Sequence, residues 1–186
     1  TLSLKDLRKN IAVVMQDVFL FSDTIAENIV LGKKSETKLE TVKESAYKAQ
    51  ASDFIERMEE GYDTVIGERG VGLSGGQKQR ISLARALAKK APILVLDDST
   101  SALDMETEKE IQKTLQTLSN TTKIIIAHRI SSVRHADEII ILTNGQITER
   151  GTHETLMAKK GYYYQTYLSQ YGEPKLQEEA YGISIL

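Results

Sequence analysis

The chain has 186 residues, 40% of them hydrophobic, which is enough for one globular domain with a sizeable core. A formal net charge of -2 gives no argument for a nucleic-acid partner or an anionic membrane surface, and the absence of cysteine excludes a disulfide framework and thiolate chemistry. No apolar run reaches the length of a membrane span, no signal peptide is visible, and there is no internal repeat or low-complexity segment. In chain order, residues 4–8 predict a short helical turn. Residues 11–15, IAVVM, predict a buried strand that ends at Gln16. Residues 18–21, VFLF, form an unusually apolar connector. A helix is expected after it, with Ser22 or Asp23 as its N-cap. Residues 33–38 read as a charged, solvated loop. Residues 39–58 carry apolar positions at Val42, Ala46, Ala49, Phe54, Ile55 and Met58, which fit one or two amphipathic helices broken near Ser52 and Asp53. A turn and a short extended piece are expected over 61–67.

The most informative stretch is 73–104, LSGGQKQRISLARALAKKAPILVLDDSTSALD. Gly75 and Gly76 lack a Cβ, so backbone can come close to a ligand there. Apolar and small residues at Ile81, Ala84, Leu87 and Ala88 predict a helix over 77–90, and a Ser-Gly-Gly turn at its start is a ready anion site. Pro92 blocks further helix. Residues 93–96 are short, continuous and apolar, as a parallel strand should be. Asp97 and Asp98 then fall at the strand's carboxyl end, where open α/β sheets place their ligands. A helix over 106–118 presents Ile111, Leu115 and Leu118 on one face. Residues 123–127 predict a second buried strand, ending at His128. Residues 138–142 and 146–150 predict a hairpin about an Asn144-Gly145 turn. A helix N-capped by Thr152 follows, then a C-terminal helix whose tyrosines (Tyr162, Tyr163, Tyr164, Tyr167) are expected to pack it onto the domain. From Gly172 a polar, poorly ordered tail is expected. His135 and His153 are expected to be structural or exposed.

LSGGQ followed by ILVLDD and STSALD resembles the signature motif, Walker B strand and D-loop of the ATP-binding-cassette (ABC) nucleotide-binding domain. IAVVMQDVFLF is similar to its Q-loop, Glu68-Arg69-Gly70 to its exporter X-loop and His128 to its H-loop histidine. The strings LFSDTIAENI and GERGVGLSGGQ resemble the exporter branch. The resemblance covers residues 11 to about 168. It implies an α/β fold with a P-loop NTPase-like parallel sheet core and an inserted helical subdomain at about 24–85. A core over about 86–171 and a tail over 172–186 would complete the chain.

The implied cofactors are ATP and Mg²⁺. Asp97 and Gln16 would hold the metal, Asp98 would take the place of the residue that polarises the attacking water, and His128 would meet the γ-phosphate. Ser74, Gly75, Gly76 and Gln77 would meet a nucleotide held by the opposite subunit, and residues 101–104, ending in Asp104, would cross the dimer interface. The implied partners are the transmembrane domain of an ABC exporter, at the cytoplasmic face of the membrane, and a second nucleotide-binding domain. The groove receiving a coupling helix of that membrane domain would be lined by the 18–21 region.

Two departures stand out. The P-loop pattern GxxxxGK[ST] does not occur, since residues 32–35, GKKS, lack its first glycine. The sequence is therefore expected to be a C-terminal piece lacking Walker A, inactive by itself. Asp98 stands where the family usually carries glutamate. Its carboxylate is withdrawn by about 1.5 Å, one methylene, which implies a heterodimer with one degenerate site, the alternative being a slow homodimer. Two other functions compete with the ATPase of an exporter. One is a binding or regulatory module without hydrolysis. The other is a soluble ABC ATPase of DNA repair or translation, against which the exporter-like strings and the lack of a basic patch argue.

Overall fold

The computed structural model describes residues 3–31 and 38–172. The 33–38 loop expectation, except Lys38, and the tail beyond Gly172 lie outside the described residues. The chain divides into two compact units, residues 1–128 and 129–186.

The first unit is built on a three-stranded parallel sheet in the order β1-β2-β3, with β1 Ile11–Val14, β2 Ile93–Asp97 and β3 Thr122–Ile126. The register aligns Val14 with Leu96 and Leu96 with Ile125. Both crossovers step in the same direction across the sheet. A right-handed connection then puts every crossover helix on the same face. Accordingly Ala12, Val14, Leu94 and Leu96 share one buried cluster with Ile81, Leu83 and Ala84 from the first crossover and Ile111 and Leu115 from the second. The other face is bare: Val13 is 44% exposed, Ile124 49% and Ile126 52%. The expectation of a buried strand over 123–127 is corrected here. The strand forms, but at a lateral edge of the sheet with its alternate isoleucines uncovered, because among the described residues no helix of this unit covers that face.

Helix α1, Leu4–Asn10, leads into β1 and is capped by Ser3. The first crossover holds α2 Ile25–Val30, α3 Leu39–Lys48, α4 Ser52–Glu56 and α5 Gly75–Ala88. Thr24, not Ser22 or Asp23, caps α2. Its Oγ1 accepts the Glu27 N–H at 3.1 Å, while Asp23 Oδ1 is occupied by the N–H of Thr24. The break between α3 and α4 falls at 49–51, ahead of the expected Ser52 and Asp53, because Gln50 adopts a left-handed backbone with φ 56°.

Helix α5 is the hub of this unit, and its long side chains end on backbone carbonyls of distant segments. Arg80 donates to Gln50 O at 2.7 Å. Arg85 donates to Asn28 O at 2.7 Å and Phe19 O at 3.0 Å, and Lys89 reaches Arg8 O at 2.6 Å and Ile11 O at 2.7 Å. Burial pulls the Arg80 and Arg85 guanidinium pKa values down, while the hydrogen bonds replace the water lost. Helix α6, Met105–Thr117, forms the second crossover.

The second unit contains α7 Ile130–Val133, the antiparallel hairpin β4 Ile139–Thr143 and β5 Gln146–Gly151, α8 His153–Lys159 and α9 Tyr162–Tyr171. Asn144 and Gly145 both have positive φ (51° and 76°), the backbone a two-residue hairpin turn of this hand requires. Thr152 caps α8 in a reciprocal box with Thr155. Ile130, Ile139, Leu156 and Tyr163 make the core, and the Tyr163 hydroxyl lies 2.8 Å from His153 Nδ1.

Candidate functional site

The parallel sheet brings three strand exits to its carboxyl end. Gln16 follows β1 by two residues, Asp97 closes β2 with Asp98 next, and His128 follows β3 by two residues. By register, Gln16 stands level with Asp98, and His128 is one step further out. Gln16 and His128 are exposed, and the two aspartates are half-buried. Alternation along β2 puts Asp97 on the face shared by Val95, Ile124 and Ile126, which is the bare one. Asp98 leaves the strand with φ 44°, a left-handed conformation unusual for a side chain with a Cβ. It is held there by its N–H, which donates to Ile126 O at 2.9 Å.

The signature segment forms the N-terminus of α5. Ser74 Oγ accepts the Gln77 N–H at 3.2 Å, and Gln77 Oε1 accepts the Ser74 N–H at 2.9 Å. This capping box takes two of the segment's donors. The N–H groups of Gly75 and Gly76 have no partner among the described residues, and they sit at the positive end of a 14-residue helix. The Gln77 side chain is thus engaged in capping. Asp104 is likewise a cap. It N-caps α6, with Oδ1 accepting the Thr107 N–H at 2.9 Å and Oδ2 the Thr107 hydroxyl at 2.8 Å, and those bonds lower its pKa.

Two groups of residues are therefore brought together. Gln16, Asp97, Asp98 and His128 lie at the carboxyl ends of the three parallel strands, and the start of α5 lies against the turn that follows Asp98. A Cβ on Gly76 would fall 3.0 Å from the Ala102 carbonyl oxygen. Sequence reasoning missed the residues that hold these parts: Gln79, Arg85 and Asn28. The signal was present, because Gln79 falls on the same helical stripe as Leu83 and Ala86, both buried. Asn28 is 1% exposed. Its Oδ1 accepts the Phe21 N–H at 2.8 Å, and its amide donates to Phe21 O and Thr24 O, each at 3.0 Å. It thereby fixes the Phe19–Phe21 connector, whose rings meet edge-on at 4.9 Å and remain exposed.

The sequence profile of the ABC transporter family matches residues 2–101, and the chain belongs to that family. The chain is 52% identical over 182 residues to an uncharacterized ABC transporter ATP-binding protein, YknU, of Bacillus subtilis (strain 168), covering 97% of this chain and 31% of that protein. It is 51% identical over 171 residues to an ATP-dependent lipid A-core flippase of Sodalis glossinidius (strain morsitans), covering 91% of this chain and 29% of the flippase. Among solved structures, a bacterial Atm1-family ABC exporter with ATP bound superposes with a TM-score of 0.86 at 42% identity, covering 89% of this chain and 29% of that one. The chain spans about a third of the length of the curated relatives it matches.

Among the described residues no helix is long and apolar enough to cross a membrane, and no three His, Cys, Asp or Glu side chains cluster to hold a metal. Gln16 carries an amide oxygen and Asp97 a carboxylate, two hard donors that lie at the carboxyl ends of adjacent strands. That fits Mg²⁺, which takes one or two protein oxygens and completes its shell with phosphates and water.

Proposed function

We propose that this chain is the greater part of an ATP-hydrolysing domain that powers export across a membrane, working at the cytoplasmic face beneath a transmembrane domain. The observation that carries this reading is the shared carboxyl end of the sheet, where Gln16, Asp97, Asp98 and His128 close or follow three parallel strands side by side. Gln16 and Asp97 would hold Mg²⁺, which neutralises phosphate charge when bound. Asp98 orients the attacking water, which demands hydrogen-bond reach. His128 supplies a ring nitrogen toward the terminal phosphate.

The bare face of the sheet supports the view that a further strand and helix, carrying the phosphate cradle, complete the site in the parent protein. A parallel sheet is stable with both faces covered. Residues 24–85 serve as a helical subdomain. Their exposed Phe19 and Phe21 neighbours form the surface for the membrane domain. Ser74, Gly75, Gly76, Gln77 and the turn ending in Asp104 serve a nucleotide on a second nucleotide-binding domain. Because Asp98 is short, that domain is a different chain carrying glutamate, and one of the two sites is slow.

The test is Mg-ATP hydrolysis by the reconstituted parent. Asp98→Glu should change turnover only modestly, while replacing the partner's glutamate by glutamine should nearly abolish it. Loss of all turnover on His128→Ala beside an intact partner site would sink the slow-site reading. Failure of the wild-type parent to hydrolyse Mg-ATP would sink the whole.

A further inference from the structure

Gln79 stands one turn inside α5 and is 5% exposed. A buried amide must place both its acceptor and its donors. Its Oε1 accepts the Ala102 N–H at 3.1 Å, and its Nε2 donates to Ser101 Oγ at 3.3 Å and to the Asp98 carbonyl oxygen at 3.4 Å. Ser101 Oγ in turn donates to the same Asp98 carbonyl at 3.0 Å. A separate observation shows how closely the two segments lie. At Gly76 an added Cβ would meet the Ala102 carbonyl at 3.0 Å and Leu103 at 3.4 Å. The left-handed Asp98 is therefore held from two sides, its N–H by Ile126 and its carbonyl by Gln79 and Ser101.

We propose that Gln79 is a positioning residue for hydrolysis, fixing Asp98 and the turn 98–102 against the signature helix. This rests on the reading above that Asp98 orients the attacking water. The same tie makes the start of α5 and the turn after Asp98 move as one body. Asp98 belongs to the chain's own site, and the signature serves the partner's, so Gln79 is where the two sites meet within one subunit. Only an amide of this length supplies an acceptor for Ala102 and donors for Asp98 and Ser101. Glutamate keeps the acceptor, loses the donors and sets a carboxylate oxygen against the Asp98 carbonyl.

The experiment is steady-state Mg-ATP hydrolysis between pH 8 and pH 6 by the full-length parent with the partner's glutamate replaced by glutamine, so that the residual slow turnover is that of this chain's Asp98 site. Gln79→Leu and Gln79→Glu should each lower kcat by roughly tenfold to a hundredfold, the scale of a 1 Å misplacement, with KM for Mg-ATP changed less than about twofold because Gln79 touches none of the metal-facing residues. Burial pushes a carboxyl up in pKa. The Gln79→Glu deficit should therefore narrow as pH falls and its O–H begins to donate to Asp98, while the Gln79→Leu deficit stays flat.

Both kcat values within twofold of wild type would overturn the proposal. So would a Gln79→Glu deficit that is independent of pH and equal to that of Gln79→Leu, since that describes packing alone. Should Gln79→Leu fail to fold, the pH dependence of the near-isosteric Gln79→Glu decides. A wild-type parent without hydrolysis refutes the functional reading and the positioning role with it. Active wild type with unaffected variants refutes the positioning role alone.

Discussion

Replacing Arg85 by methionine should unfold this chain more readily than any change at the candidate site. The Arg85 side chain is half-buried, and its three hydrogen bonds run to Asn28 O at 2.7 Å, Phe19 O at 3.0 Å and Asn28 Oδ1 at 3.0 Å. All three acceptors are uncharged, so the stabilisation comes from hydrogen bonding and not from an ion pair. Hydrogen bonds to a charged group contribute about 1.5–3 kcal/mol each, and acceptors left unmet add to the loss. Non-additivity brings the total for Arg85→Met to roughly 2–4 kcal/mol. For a chain of this size that is about 5–15 °C in melting temperature. Arg85→Lys keeps the charge but not the planar fork, and should recover roughly half of the loss. Asn28→Ala breaks the other end of the network. The Arg85→Met, Asn28→Ala double variant should then lose less than the sum of the two single losses, by about 0.5–3 kcal/mol. The assay is urea unfolding followed by far-ultraviolet circular dichroism. An Arg85→Met variant within about 0.5 kcal/mol of wild type, the range of ordinary surface substitutions, or a strictly additive cycle, would refute the reasoning.

Calorimetry of this chain with Mg-ATP should show no saturable binding below millimolar concentration, because it carries no P-loop, and micromolar binding would count against an incomplete site. Ile126→Lys on the bare face should cost this chain less than about 1 kcal/mol in urea, since the side chain is already half exposed, yet should prevent assembly of the full-length parent. Burial beside Arg134 lowers the His153 pKa from its usual 6.5. The unfolded chain therefore binds the proton more tightly than the folded one, and stability should fall as pH drops from about 7 through that value. His153→Gln should remove that part of the slope in denaturation measured from pH 8 to pH 5.

Where a signal was local, the sequence carried it. The β2 strand, the Asn144-Gly145 turn and the Thr152 cap each follow from a few adjacent residues. The exposure of β3 does not, because its isoleucines look like core in any local reading. Only the direction of both crossovers, a property of the whole unit, leaves that face empty. Thr24 was missed as a cap because Asp23 and Ser22 have the same chemistry, and the choice among three oxygens is made by where the helix axis begins. The engagement of Asp104 and Gln77 in capping was hidden by their motif: residues marked for a ligand also close helix ends. Gln79 was legible only as a polar residue on an apolar stripe, with nothing in the string to say that residues 98–102 would meet it.

Those two capping roles bear on how the site is used. A capping box at Ser74 spends the side chains of the signature on the helix itself and leaves the backbone N–H groups of Gly75 and Gly76 for a ligand. Backbone donors cannot rotate away, so on the function proposed above they would be set before a phosphate arrives. A helix start built this way has one useful degree of freedom, the position of the whole helix. That position is tied through Gln79 to Asp98, through Arg85 to the Phe19–Phe21 connector, and through Lys89 to the end of α1. On the function proposed above, a nucleotide at the helix start and a partner on the aromatic connector would both bear on the position of this one helix, and coupling between them would run through it.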